Sequence, residues 1–287
     1  MARRADGKVV FVEGALPGER AAVRIFNRKA RHEFGRALEI LDASPNRREP
    51  RCPHFGVCGG CATQHADAAV QMQEKQRWLQ ENFARIGKTK PERWLPILSG
   101  DEWGYRRRAR LSVRRVPKKG GVLVGFRERR STYVADLREC AVLPEDLSRL
   151  IPQLKALVEE LSVRERLPQI EIAVGDNAAA LVFRHLDPLQ SEDFDRLREF
   201  ATTHGVHVWL QPGGPDSAWQ FYPAETELHY ALPEFGIKMP FKPTDFTQVN
   251  HQINRVLVAR ALRLLDTQAD ERVADLFCGL RNGFECD

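Results

Sequence analysis

Apolar and polar positions alternate with period two through "KVVFVEG" (8–14), "RAAVRIFN" (20–27) and "EFGRALEIL" (33–41), with the turn-forming "ALPGE" and the basic "RKARH" between them. This alternation predicts three short strands, a small antiparallel β unit ending near Ala43. An OB-like barrel needs about five strands. The unit is therefore expected either to dock on the rest of the chain or to be incomplete at its start.

The period then changes. After the polar, proline-bearing "SPNRREP" (44–50), Met72, Gln76, Leu79, Phe83 and Ile86 recur at spacings of three and four, with Gly87 placed to stop the run. That is an amphipathic helix. Two hairpins follow: "YRRRARLSVRRV", turn "PKKGG", "VLVGFRE"; and "QIEIAV", turn "GDN", "AAALVFRHL". Helices are expected at about 145 to 161 and 191 to 203. From about Phe235 the segment "DFTQVNHQINRVLVARALRLLD" gathers Ile253, Val256, Leu257, Ala261, Leu264 and Leu265 on one helical face. Next, "ERVADLFCGL" reads as a buried strand running into a glycine turn. Such a strand opens a βαβ unit, whose remainder is expected to lie beyond this chain. The fold class is multidomain α+β.

Composition narrows the classes. A chain of 287 residues with 43% hydrophobic content can bury a core, which excludes a disordered tail, and its length suggests two domains of about 150 residues each. The net charge of +5 and pI near 9.0 favour a polyanionic partner only mildly. No apolar run is long enough to cross a bilayer and no signal peptide is recognised, so a reducing cytoplasm is the expected compartment.

That compartment bears on "RCPHFGVCGGCATQH" (51–65), which places Cys52, Cys58 and Cys61 in a C-x5-C-x2-C pattern, with Cys140 far along the chain. Thiols crowded in a reducing cell point to metal rather than disulfides. Structural zinc more often uses two C-x2-C-type pairs, and one is present. A [4Fe–4S] cluster accepts three thiolates from one loop and a fourth from afar, and Gly59 and Gly60 suit a loop wrapping it. A Cys3His zinc site using His54 or His65 and unliganded thiols are the alternatives.

From Trp103 to Lys119 there are eight basic residues and no acid. In a strand, Arg106, Arg108, Arg110 and Arg114 share one face at roughly 6.8 Å per two residues, near the spacing of phosphates along a nucleic-acid strand, while Ala109, Leu111 and Val113 take the other. A solvated basic sheet face is the plainer reading. Finally, "VADLFCGLRN" has the strand, acid and glycine turn of a nucleotide or S-adenosylmethionine (SAM) loop.

Together these segments resemble a known family. "VFVEGALPGER", the CGGC cluster with the remote cysteine of "VADLREC", "WGYRRRARLSV", "DFTQVN" and "DLFCGL" stand in the order found in bacterial 23S rRNA uracil-5 methyltransferases. The resemblance implies a TRAM domain of OB-like fold (1–44, incomplete), a central [4Fe–4S] RNA-binding domain (45–234) and the first part of a Rossmann-like SAM domain (235–287). It implies that Cys52, Cys58, Cys61 and Cys140 hold the cluster, and that Gln248, Phe277 and Asn282 contact SAM. It also implies 23S rRNA as partner, a monomeric state and methyl transfer to carbon 5 of a uridine. The pattern departs at Arg281, where the family has glycine, and in the "GFECD" tail. The family's nucleophile and base are expected beyond Asp287, which would leave this chain an inactive fragment. A non-catalytic RNA-binding iron–sulfur or zinc module is the alternative function.

Overall fold

The computed structural model describes residues 1–268, 270–274 and 276. The chain divides into two compact units, Met1–Ile97 and Leu98–Asp287.

The first unit opens with β1 (Ala2–Arg3), β2 (Val9–Glu13), β3 (Arg20–Arg28) and β4 (His32–Asp42), in the sheet order β1-β2-β4-β3. The tight connection from Arg28 to His32 makes β3 and β4 an antiparallel hairpin, as the alternation predicts. The pairing of β2 departs from the expected all-antiparallel unit: it lies beside β4, not β3, and runs parallel to it. The cause is connectivity. The segment between β2 and β4 contains the whole of β3, long enough to act as the crossover that a parallel pair requires. Beyond β4, Arg47 pairs with Glu19 through Nε and Nη2 at 2.6 Å each. The Glu19 carboxylate also accepts the Leu16 and Ser44 N–H groups, so one buried acid ties the β2–β3 turn to the segment leaving the sheet. The predicted helix is α1 (Ala68–Arg85), capped by Asp67, whose carboxylate accepts the Ala69 N–H.

The second unit is built on a six-stranded sheet of order β10-β9-β8-β7-β5-β6. Its strands are β5 (Arg108–Val116), β6 (Gly121–Gly125), β7 (Gln169–Val174), β8 (Ala179–Arg184), β9 (His207–Gln211) and β10 (Trp219–Tyr222). Both predicted hairpins form, β5 with β6 and β7 with β8. The predicted helices are α2 (Glu145–Glu160) and α3 (Ser191–His204). α3 supplies the crossover that lets β9 run parallel to β8.

Register puts Leu111, Ile170, Phe183 and Leu210 in one row across four strands, all at most 1% exposed. α2 packs on β6 and α3 on β9, burying Leu150, Ile151, Leu154, Val158, Leu197 and Ala201. On the other face, the hairpin of β11 (Leu228–Leu232) and β12 (Ile237–Phe241) covers Ala173, Ala180, Val182 and Trp209 with Leu228 and Phe241. The outer strand β6 is closed by the chain's own return: Ala135 N–H donates to Phe126 O at 2.9 Å and Leu137 N–H to Val124 O at 3.3 Å. A Cβ on Gly125 would collide with the Ala135 carbonyl.

The last helix, α4 (His251–Leu265), starts at Asn250, whose side chain accepts the Ile253 N–H at 3.1 Å. Its predicted apolar face forms but is largely open, with Val256, Leu257, Leu264 and Leu265 between 43% and 60% exposed. The strand expected over "ERVADLFCGL" is not found among the described residues: 271–274 and 276 are exposed and carry no strand pairing. An extended segment with no neighbouring strand has no ladder in which to satisfy its backbone. No helix among the described residues is long and apolar enough to cross a membrane.

Candidate nucleic-acid interface

The basic strand β5 is internal to the sheet, between β7 and β6, and its alternation is as predicted: Ala109, Leu111 and Val113 are buried. Its polar face carries more than arginine. Glu171 stands opposite Arg110 on β7 and accepts Arg110 Nε at 3.1 Å and Gln169 Nε2 at 2.7 Å. Arg108 lies 3.8 Å from the same carboxylate and donates to the Asp245 carbonyl. Burial lowers the Arg108 pKa, with Glu171 acting in the opposite direction. Arg110, whose side chain is 67% exposed, keeps one side of its guanidinium open to solvent. Arg114 is exposed, and Arg106 lies outside the strand, bridged to Asn250. The face is therefore a graded basic strip: Arg108 is half-buried, Arg110 is paired with Glu171 and exposed on its outer side, and Arg114 is exposed.

One end of this strip is fixed by a polar node. Arg107 donates to Asp176 at 2.6 Å and lies 3.2 Å from His251 Nδ1, at the start of α4. Asp176 also accepts from Arg255 at 2.6 Å and from the Ala231 N–H at 2.8 Å. Burial opposes ionisation of Asp176, but the Ala231 N–H and the two guanidiniums together hold its pKa low. Burial, reinforced by Arg107, pushes His251 down to about 4, so the ring is neutral near pH 7. The node clamps the segment "DFTQVN" to the beginning of β5, and Arg107 N–H donates to Val249 O at 2.8 Å. Clamped in this way, the segment leaves Gln248 exposed and Phe246 74% exposed. Of the other expected SAM contacts, Phe277 and Asn282 lie outside the described residues, as do Arg281, Cys278 and Cys286.

In the first unit, Cys52, Cys58 and Cys61 sit in successive turns between β4 and α1. Cys58 is buried and the other two half-buried. Burial pushes the Cys58 thiol up, while the Gly60 N–H donates to its Sγ at 3.3 Å and opposes the rise. A backbone N–H aimed at sulfur suits a thiolate ligand of an iron–sulfur cluster. His65 is buried beside Phe55, at 5.4 Å between ring centroids. Cys140 belongs to the second unit, buried, with its N–H donating to Ser148 Oγ at 2.8 Å. Among the described residues, no three His, Cys, Asp or Glu side chains are grouped as a metal ion would hold them. The three loop thiols are donors of the type that such a cluster takes.

Comparison with known proteins places this architecture. No family model matches the chain. Curated sequences do: it is 59% identical over 281 residues to a protein named 23S rRNA (uracil(1939)-C(5))-methyltransferase RlmD of Bordetella parapertussis, an alignment covering 96% of this chain and 60% of that protein. The chain is a relative of the 23S rRNA uracil-C5 methyltransferases. The relative of the same name in Cupriavidus necator is 57% identical over 276 residues, covering 96% of this chain and 63% of its own length. The chain thus spans about three fifths of the length of the curated relatives it matches. The crystal structure of Pyrococcus abyssi tRNA (uracil-54, C5)-methyltransferase in complex with S-adenosyl-L-homocysteine superposes with a TM-score of 0.63 at 20% identity. The match covers 92% of this chain and 63% of that one, a likeness of fold.

Reading the sequence missed Glu171, Asp176 and His251. Glu171 left a signal, being an acid inside the apolar run "QIEIAV". Asp176 and His251 left none, because their meeting at Arg107 joins residues 69 and 144 positions from it, which local pattern does not encode.

Proposed function

We propose that this chain is the RNA-binding portion, with the beginning of the SAM domain, of a cytoplasmic 23S rRNA uracil-C5 methyltransferase. The observation that carries the proposal is the 59% identity over 96% of the chain to proteins of that name. The internal basic strip of β5 supports it as a phosphate track. In this reading 1–44 is a TRAM-type OB-like module, 45–234 the cluster-bearing RNA-binding domain and 235–287 the start of a Rossmann-like SAM domain. Gln248, Phe277 and Asn282 contact SAM. Cys52, Cys58, Cys61 and Cys140 hold a [4Fe–4S] cluster, and the protein acts as a monomer.

The reaction is methyl transfer from the sulfonium of SAM to uridine carbon 5. A thiolate adds to carbon 6, carbon 5 takes the methyl group, the carbon-5 proton is removed, and the thiolate is eliminated. No described cysteine is assigned that nucleophilic role, since all four belong to the cluster set. The target base must leave its stack to be reached.

The test is methyl transfer from labelled SAM to unmodified 23S rRNA. The 287-residue chain is assayed beside a version extended to the length of the relatives. Activity of the extended protein alone supports the proposal, and absence of rRNA methylation by both sinks it. In parallel, anaerobically purified chain should be brown and carry about four irons. A colourless protein with one zinc would overturn the cluster assignment.

A further inference from the structure

The sheet of the first unit has a closed side and an open one. On the closed side Val10 and Glu33 are 4% and 2% exposed, and a Cβ on Gly35 would strike the Val23 side chain. The open side carries rings. Phe11 on β2 is the register partner of Phe34 on β4, and the two stack at 5.4 Å between centroids. His32, two residues earlier on β4, meets both at near right angles, at 5.6 and 5.2 Å. On β3, Arg24 stands opposite Arg36, which shares the side of Phe34 by the period of two. Phe26 follows Arg24 by two and is the extra residue of a β-bulge between Ile25 and Asn27, a device that re-aims a side chain. Phe11 and Phe26 remain 42% and 46% exposed. Their strands flank β4 and so lie about 10 Å apart.

Single apolar side chains on a surface are ordinary, whereas rings gathered on one sheet face mark a contact surface. The surroundings of these rings are positive. Arg24 is exposed on the same side, and the β3–β4 turn brings exposed Lys29 and Arg31 beside His32; none of the three makes an ion pair among the described residues. Glu13, the register partner of Arg36, is held by it at 3.5 Å. A second copy of this chain would bring the same charge, and a purely apolar partner would leave that charge unused. A polyanion with flat faces matches both features.

We propose that this face of the first sheet is a stacking platform for single-stranded RNA, with one unstacked base on Phe11, the next on Phe26, and their phosphates beside Arg24, Lys29 and Arg31. The inference rests on the RNA-binding part of the function proposed above and names the form of RNA that the first unit takes. Stacking needs only a π-face, which every base has, so the platform selects unpaired strand and not sequence. In a duplex those faces are covered by neighbouring bases, and A-form RNA offers phosphates and 2′-hydroxyls instead. The platform thus differs from β5, which offers charge but carries no ring.

The test uses the 287-residue chain without SAM, so that it stands apart from methyl transfer. Fluorescence anisotropy measures binding of an all-adenosine RNA pentamer, of a fully abasic pentamer with the same backbone, and of a blunt RNA duplex. The intact pentamer should bind more tightly than the abasic one. Phe11→Leu and Phe26→Leu keep apolar bulk but remove the ring, and each should weaken binding of the intact pentamer roughly tenfold, the weight of one stacked base. Neither should change binding of the abasic pentamer or the duplex, or the salt dependence. Phe11→Trp keeps a flat ring and should keep the affinity. Arg24→Gln should weaken intact and abasic strands alike and flatten the salt dependence by about one unit. An iodouridine placed in the pentamer should photocrosslink to peptides carrying Phe11 or Phe26. Equal losses for intact and abasic strands, no loss at all, or crosslinks confined to Leu98–Asp287 would overturn the platform. Failure of the wild-type chain to bind any of these RNAs would instead overturn the RNA-binding reading itself, and the platform with it.

Discussion

The two units solve the problem of staying folded by different means. In the sheet unit, rows of side chains such as Leu111, Ile170, Phe183 and Leu210 lose essentially all contact with water, and α2, α3 and the β11–β12 hairpin seal both faces. In the first unit the buried apolar residues are few, Val10, Cys58 and Ala66, and α1 buries none of its residues. Its buried polar groups are correspondingly prominent: Glu33 lies within 3.7 Å of Arg4, Lys8 and Arg28, and Glu19 is pinned by Arg47. A region with so little core depends on ion pairs, turns and, in the function proposed here, an inorganic centre. The difference is between burial and cross-linking, and each can be attacked separately.

Phe183→Ala should have the largest effect, about 4 kcal/mol, because it opens a cavity in a row that cannot collapse. Amide exchange read by mass spectrometry should speed up across 169–184 and stay unchanged across 9–42. Loss of protection in both stretches would mean that the units fold as one. Next, Glu19→Ala should cost the first unit about 3 kcal/mol, since it strands the Arg47 charge and two N–H donors. Exchange should then rise near Leu16 and Ser44 and leave the sheet unit intact.

Acid should separate the units a third way. The unfolded chain takes up a proton on His251 near pH 6.5, whereas the folded chain refuses it until about 4. Stability of the sheet unit therefore falls as the pH drops through that window, by about 2 kcal/mol once solvent screening is allowed for, and the loss is complete below it. Glu19 is held at about 2, first by its hydrogen bonds from Arg47, so its contribution is lost only from about 4.5 downward. Urea melts between pH 7 and 4 should show the slope, and His251→Gln should remove most of it. A flat profile in the wild-type chain would show that the ring is not held neutral. The smallest effect is expected at the surface. Arg114→Gln should leave folding untouched and flatten the salt dependence of RNA binding by about one unit.

Legibility in the sequence follows the same division. Where one face is buried, period is strong: α2, α3 and the second hairpin can be read within a residue or two, the first hairpin within three, and the buried side of β5 is as the alternation predicts. β9 and β10 escape because "HVWLQ" and "WQFY" are short and owe their place to neighbours, β9 to the crossover through α3 and β10 to β9. The hairpin "LHYAL"–"IKMPF" escapes because its burial comes from lying on Val182 and Trp209, and only Leu228 and Phe241 go fully inside. The candidate chemistry splits likewise. Cysteine spacing and arginine alternation are local and visible, whereas the clamp of Arg107, Asp176 and His251 joins residues up to 144 positions apart. No window along the chain contains it.

The covered outer strand has a consequence for handling the protein. An uncovered β6, "GVLVG" with every residue apolar, would offer a sticky hydrogen-bonding rim to another molecule, the usual start of edge-to-edge aggregation. The return through Ala135 and Leu137 occupies that rim, and Gly125 is the residue that lets it come close. A side chain there, even the methyl of Gly125→Ala, would lift the cover and make a well-behaved solution turn cloudy on concentration, long before any ligand site was disturbed.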